Sequence, residues 1–186
     1  MKHATTVLLS LLLLPALAAT PPVDPKLRDR LLDAARASTS FQDRFDAEVW
    51  LTDMSARLAA QVPDIEERLG ILKTVHSEAR RVELPPELVL AVIDIESNFD
   101  RFALSYAGAR GLMQVMPFWL KEIGRREDNL FEVATNLRYG CTILRYYYDM
   151  EHGNLTKALA RYNGSRGKRW YPDRVMGRLS KKWYQL

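Results

Sequence analysis

The sequence predicts an all-helical protein, and three observations carry that prediction. Apolar residues recur at spacings of three and four along most of the chain, the period of an amphipathic helix. No stretch of useful length alternates apolar with polar residues, as a half-buried strand would. The breaks between periodic stretches carry proline, glycine, aspartate or asparagine, which start and stop helices by fixing φ, tolerating left-handed backbone or capping free N–H groups.

The first 19 residues stand apart. Met1-Lys2-His3 is a basic start, Val7 to Leu14 is apolar, and Pro15-Ala16-Leu17-Ala18-Ala19 is a small-residue exit. That pattern predicts an export signal cut after Ala18 or Ala19. The apolar run, broken by Ser10 and Pro15, falls short of the roughly 20 residues that span a bilayer. No cysteine follows it closely enough to take a lipid, so the expected product is periplasmic and not a lipoprotein.

A first helix is expected from Pro25 to about Ala37, with Leu27, Leu31, Leu32 and Ala35 on one face. A second runs from Phe41 to Gln61 through Phe45, Val49, Met54 and Leu58. Val62-Pro63-Asp64 interrupts the pattern, which makes residues 20–62 a helical N-terminal extension and residues 63–186 the main domain. Asp64 is placed to cap a third helix through Ile65, Leu69, Leu72, Val75 and Ala79. Pro85 and Pro86 open a fourth, ending at Glu96. Ser105 to Gly111 reads as a turn-rich loop, with another apolar helix expected at Leu112. Two more helices follow, about Phe131 to Met150, ended by Gly153, and Leu155 to Tyr162, capped by Asn154. Asn163 to Lys168 is a loop by composition, and the aromatics from Trp170 to Tyr184 either cover a groove or close the core.

Composition narrows the function classes. With 186 residues and 47% hydrophobic content, the chain has material for one ordinary domain and an extension. The single cysteine, Cys141, leaves packing rather than disulfides to hold an exported fold. His3, His76 and His152 are scattered, which argues against a metal site, and no phosphate-cradling glycine loop is present, so no cofactor is expected. The net charge of +4 and pI near 9.2 fit an anionic wall polymer better than nucleic acid for an exported chain. Nine cations and one acid, Asp173, lie between Lys157 and Lys182; a solvated basic tail and a binding surface explain them equally well.

Glu96 is the residue that asks for an explanation. Leu88, Val89, Val92, Ile93 and Glu96 share one helix face, and a carboxylate among such neighbours is costly unless paired, hydrogen-bonded or protonated. Desolvation raises a carboxyl pKa and lets it hold a proton near neutrality, as a general acid for glycosidic bonds must. Asp94, two residues away, points elsewhere. The only other acid before Glu122 is Asp100, beyond the helix end, so a second catalytic carboxylate is not evident. On spacing alone, a solvated glutamate at a helix C-terminus accounts for Glu96 equally well.

Four motifs occur in order: Glu96-Ser97, Ser105, Gly111-Leu112-Met113-Gln114-Val115-Met116-Pro117, and Tyr162-Asn163. This set closely resembles the signature of lytic transglycosylases with the soluble-transglycosylase, goose-type-lysozyme-like catalytic domain. The resemblance covers roughly Asp64 to Val175, including Asn136-Leu137-Arg138-Tyr139-Gly140, and leaves residues 20–62 outside. It implies an all-α lysozyme-like fold acting on peptidoglycan glycan strands. The implied reaction cleaves the β-1,4 bond between N-acetylmuramic acid and N-acetylglucosamine without water and leaves a 1,6-anhydro ring, with Glu96 as the sole acid and base. The substrate's own N-acetyl group then replaces the second carboxylate. The resemblance further implies that Ser105 and Gln114 hydrogen-bond sugar or N-acetyl groups. By the same likeness Met113 and Met116 pack on a sugar face, and Tyr162 with Asn163 hold Glu96 and line the groove.

The chain departs from the pattern where Arg161 precedes, and Gly164-Ser165 follows, the Tyr-Asn pair. Arg110 and the bulky Phe118-Trp119 are further particulars. Two other readings compete: a hydrolysing muramidase on the same fold, with Asp94 or Asp100 as the base for water, and a silent wall-binding module that tethers an envelope complex through the basic segment. The expected partners are glycan strands and envelope-complex proteins, not nucleic acid.

Overall fold

The computed structural model describes residues 25–184; the expected export signal lies outside them. Eight α-helices run in order: α1 (Pro25–Arg36), α2 (Arg44–Leu58), α3 (Ile65–Arg81), α4 (Pro86–Glu96), α5 (Trp119–Ile123), α6 (Val133–Met150), α7 (Leu155–Tyr162) and α8 (Trp170–Arg178). The last passes into a π-helical turn, Leu179–Trp183. Among the described residues the β structure is two isolated bridges, Leu104 to Arg110 and Arg110 to Val115. The fold is all-α, as the sequence predicts.

Helix ends follow the expected chemistry. Asp64 accepts the Glu67 N–H at 2.8 Å and Asn154 the Lys157 N–H at 3.0 Å, each satisfying a donor that has no partner inside its helix. Helix α2 begins at Arg44 rather than Phe41, because Asp43 accepts the Asp46 N–H and caps there.

Helix α4 is the centre of the molecule. Eight consecutive-turn positions, Pro86 and Leu88 to Asp94, are buried, and each fully covered Leu, Val or Ile contributes about 1.5–3 kcal/mol of apolar burial. It packs on α3 from one side and on α8 and the π turn from the other. The N-terminal helices share this core: Leu31, Ala47, Trp50, Leu51, Met54 and Leu58 belong to the same buried cluster as Leu72, Leu90 and Ile93. Trp50 Nε1 donates to Glu87 at 2.6 Å, and Arg68 Nε to the Ser55 hydroxyl at 3.0 Å. The extension is thus bound to the helices on either side of Pro63.

The expected helix at Leu112 does not form. Residues 97–118 are a compact, irregular segment, and helix resumes only at Trp119. Gly111 (φ +71°) and Gln114 (φ +49°) are left-handed, which an α-helix cannot contain. The backbone pairs across instead of along: Arg110 and Val115 exchange both N–H to carbonyl bonds at 3.0 Å. A turn therefore buries Leu112, Met113 and Val115, the residues whose spacing mimics a helix.

Candidate active site

Glu96 is the last residue of α4, and the chain turns sharply after it. Asn98 (φ +52°) and Phe99 (φ +67°) are both left-handed, an expensive conformation for a bulky residue such as Phe99. The ring of Phe99 is buried against Trp183, centroids 5.5 Å apart, and that packing holds the turn. Ser97 donates its hydroxyl to the Leu112 carbonyl at 2.8 Å and makes a longer bond to Ile93 at 3.2 Å, which seats the irregular segment on the end of α4.

The carboxylate itself is half-buried. Tyr171 of α8 donates its hydroxyl to Glu96 Oε1 at 2.5 Å, and the Asn163 side chain at the end of α7 is a second hydrogen-bonding group on it. Burial pushes the Glu96 carboxyl above its ordinary range; the bonds from Tyr171 and Asn163 and the charge of Arg174 pull part of the way back. Tyr171 is buried, and burial beside a carboxylate raises its phenol well above the usual range, so it stays a neutral donor. Glu96 is thus a carboxyl held by neutral donors, its pKa raised by burial, without a directly bonded cation among the described residues.

The irregular segment is rigid because one amide holds it. Asn136 of α6, 1% exposed, donates to the Arg110 and Leu130 carbonyls and accepts the Met113 N–H, all at 2.8 Å. Gly111 must be glycine: a Cβ there would lie 2.5 Å from both Asn136 Nδ2 and the Leu130 carbonyl oxygen, and its φ is left-handed besides. Ser105 closes the adjoining loop by accepting the Ala109 N–H on its hydroxyl at 3.0 Å. Gln114 donates its amide to the Ala103 and Gly111 carbonyls at 3.1 and 3.0 Å.

Two expected site residues have a different setting from the one expected. Met113 is fully buried, and its sulfur and Cβ occupy the space that a side chain on Gly140 would take. Its side chain is packed in the core, and its backbone N–H and carbonyl are the groups held by Asn136 and Tyr162. Tyr162 spends its hydroxyl on the Met113 carbonyl at 2.8 Å rather than on Glu96, whose charge its phenol nevertheless feels. The phenol on the glutamate is Tyr171, which sequence reasoning missed. The signal existed: a tyrosine that closes the core needs a partner for its hydroxyl, and Glu96 was the buried acceptor without one. Asn163 does sit on Glu96, and Met116 is half-buried beside the segment that holds Met113.

The other two acids are spoken for. Asp94, its side chain 1% exposed, is held by Arg178 Nη1 at 3.2 Å, Lys182 Nζ at 3.1 Å, Trp183 Nε1 at 3.0 Å and Gln61 Nε2 at 3.2 Å. Asp100 is exposed and accepts the Phe102 N–H at 2.8 Å within its own turn. The described residues contain no group of three or more metal-ligating side chains, and no described helix is long and apolar enough to cross a membrane.

A helical domain with one half-buried carboxylate, seated between a phenol, an amide and a glycine-dependent loop, has the features of a single-acid catalyst. Comparison with known proteins places it. The profile of the transglycosylase SLT domain matches residues 73–183, and the chain belongs to that family. It is 30% identical over 115 residues to a transglycosylase of Enterobacteria phage PRD1, covering 58% of this chain and 42% of that protein. Over 46 residues it is 46% identical to the membrane-bound lytic murein transglycosylase C of Actinobacillus pleuropneumoniae, covering 25% of this chain and 13% of the relative. These matches span less than half of each relative's length. The 70 kDa soluble lytic transglycosylase SLT70 of Escherichia coli superposes with a TM-score of 0.41 at 22% identity, over 76% of this chain and 31% of that one.

Proposed function

We propose that the chain cleaves the glycan strands of peptidoglycan by non-hydrolytic transglycosylation, with Glu96 as the only acid and base. Protonated Glu96 gives its proton to the β-1,4 glycosidic oxygen as the bond to C1 of N-acetylmuramic acid breaks, releasing the 4-hydroxyl of N-acetylglucosamine. The muramic N-acetyl oxygen bonds to C1 and carries the positive charge. Glu96, now a carboxylate, takes the proton of the 6-hydroxyl, and O6 displaces the acetyl oxygen to close the 1,6-anhydro ring. The proton count balances, and no water enters.

The observation that carries this reading is the environment of the three acids. Glu96 is half-buried, its pKa pushed upward by burial, and has no ion pair among the described residues, whereas Asp94 and Asp100 are engaged elsewhere. A hydrolytic muramidase needs one of those two as a base for water, separated from the acid by a solvent-filled gap. Asp94 is fixed by two cations and an indole, which supports the single-acid route. Met116 and Asn163 would line the glycan. The Ser105 hydroxyl keeps its proton to donate and Gln114 its Oε1 to accept, so both would position sugar or N-acetyl groups. An export signal at residues 1–19, as the sequence predicts, would carry this reaction to the periplasm, where the wall is. Digesting purified peptidoglycan and weighing the muropeptides tests the proposal: anhydro ends, one water lighter than reducing ends, are expected, and exclusively reducing muramic acid would overturn it.

A further inference from the structure

The basic C-terminal segment is not evenly spread over the surface. Part of it walls a cavity of about 330 Å³ between α7 and the loop that follows, lined by Lys157, Arg166, Lys168, Arg169 and Glu151 among others. Glu151 is neutralised by its bond to Arg161, and Arg169 reaches Asp173 at 3.1 Å. Among the described residues Lys157, Arg166 and Lys168 make no direct ion pair, although the charges of Lys157 and Arg166 are felt by Glu151. Cations held along one concave wall repel each other and focus a positive field that an entering anion relieves.

We propose that this cavity binds the carboxylates of the peptide stem attached to the glycan that Glu96 cuts, an inference that rests on peptidoglycan being the substrate. Position supports it. Asn163 and Tyr171, the two groups on Glu96, flank the loop that carries Arg166, Lys168 and Arg169. The loop that walls the cavity is therefore the chain segment that joins the two residues acting on Glu96. Size supports it too: about 330 Å³ sits at the small end of ligand pockets, enough for a carboxylate-bearing residue or two and too small for a sugar chain. The guanidinium of Arg166 offers paired N–H donors that match a carboxylate, and Lys168 a point charge. The glycan backbone is close to neutral, so the anionic branch is the part of the substrate that this field selects.

The test uses full-length Glu96→Gln protein, which binds without turnover. Its affinity is measured for glycan strands with intact acidic stems and for the same strands after the stem carboxylates are amidated, at low and moderate salt. Amidation should weaken binding about three- to tenfold, the worth of two partly exposed charge contacts, and moderate salt should shrink the difference. In Glu96→Gln/Arg166→Gln/Lys168→Gln the two strands should bind alike, with affinity for amidated strands unchanged. Equal binding of both strands by Glu96→Gln, or a preference that survives in the triple variant, overturns the proposal. So does a double Arg166→Gln/Lys168→Gln change whose only effect is loss of binding to anionic lipid vesicles. Because binding is read without turnover, failure of the stem site is distinct from failure of the reaction, which the muropeptide masses report on the unmodified protein.

Discussion

Asp94 and Glu96 leave the same helix two residues apart and meet opposite surroundings. On one side of α4, Asp94 is locked by Arg178, Lys182, Trp183 and Gln61. On the other, Glu96 is hydrogen-bonded by neutral donors, Tyr171 and Asn163, with the charge of Arg174 acting on it but not bonded to it among the described residues. The difference teaches that a buried acid is made structural by cations and chemical by their absence. Two cations hold the Asp94 side chain and tie the C-terminal turn to the core, while desolvation without a directly bonded counter-ion raises the Glu96 pKa.

Glu96→Gln is the strongest way to break the comparison. It should lower peptidoglycan cleavage by roughly 10²–10⁴-fold, the usual worth of a general acid, read as released muropeptides. The same change should not weaken the fold. The folded-state pKa of Glu96 lies above the ordinary 4.5, so its proton-linked stabilisation is full below that pH and is lost as pH rises through the raised value. Glutamine carries no such loss. The melting temperature of Glu96→Gln relative to the parent should therefore climb from pH 4.5 toward neutrality.

Asp94→Ala should show the reverse profile. It should cost about 3 kcal/mol in urea unfolding, the low end for breaking a buried ion pair, because Arg178 and Lys182 can swing toward solvent. Protein that stays folded should still make anhydro products. If Asp94→Asn, with stability checked, gave the product change expected for loss of a water-activating base, the division of labour between the two acids would be wrong.

Tyr171→Phe sharpens the contrast at a smaller scale. Its hydroxyl is the leading hydrogen bond that lowers the Glu96 pKa, so removing it should raise that pKa further. The alkaline limb of the pH–rate profile should move to higher pH, and turnover should fall about tenfold as the carboxylate form loses a charged hydrogen bond. A reduced rate with an unmoved limb would show that the phenol only packs.

The helices and the half-buried setting of Glu96 were legible in the sequence because both rest on local rules. The 3.6-residue period survives in α1, α3, α6 and α7, whereas in α2 the expected positions Phe45 and Val49 are exposed and Trp50 and Leu51 face the core; Asp64, Pro86 and Asn154 mark helix starts by chemistry that acts within one turn. Glu96 stood out because an acid on an apolar face is a local contradiction. The segment from Ser97 to Phe118 was not legible in the same way. Leu112, Met113 and Met116 carry helical spacing, yet their conformation is decided by left-handed Gly111 and Gln114 and by an amide on α6. Met113 looked like a ligand contact for the same reason: its burial depends on the bare backbone of Gly140, a long-range fact. Tyr171 was hidden because only the tertiary fold brings α8 to the end of α4.

The three bonds of Asn136 also set an order of assembly. The segment that shapes the site has almost no regular hydrogen bonding of its own, and its main tether joins positions 23 and 26 residues apart. Closing such loops costs chain entropy before any contact repays it. Helices with local contacts can form first, and the region around Ser97 to Phe118 should settle after α6 has docked on α3. Asn136→Ala should accordingly leave the refolding arm of a chevron nearly unmoved and speed the unfolding arm, as expected for contacts made after the transition state. The catalytic end of the molecule would then be the last part built during folding and the first to let go under denaturant.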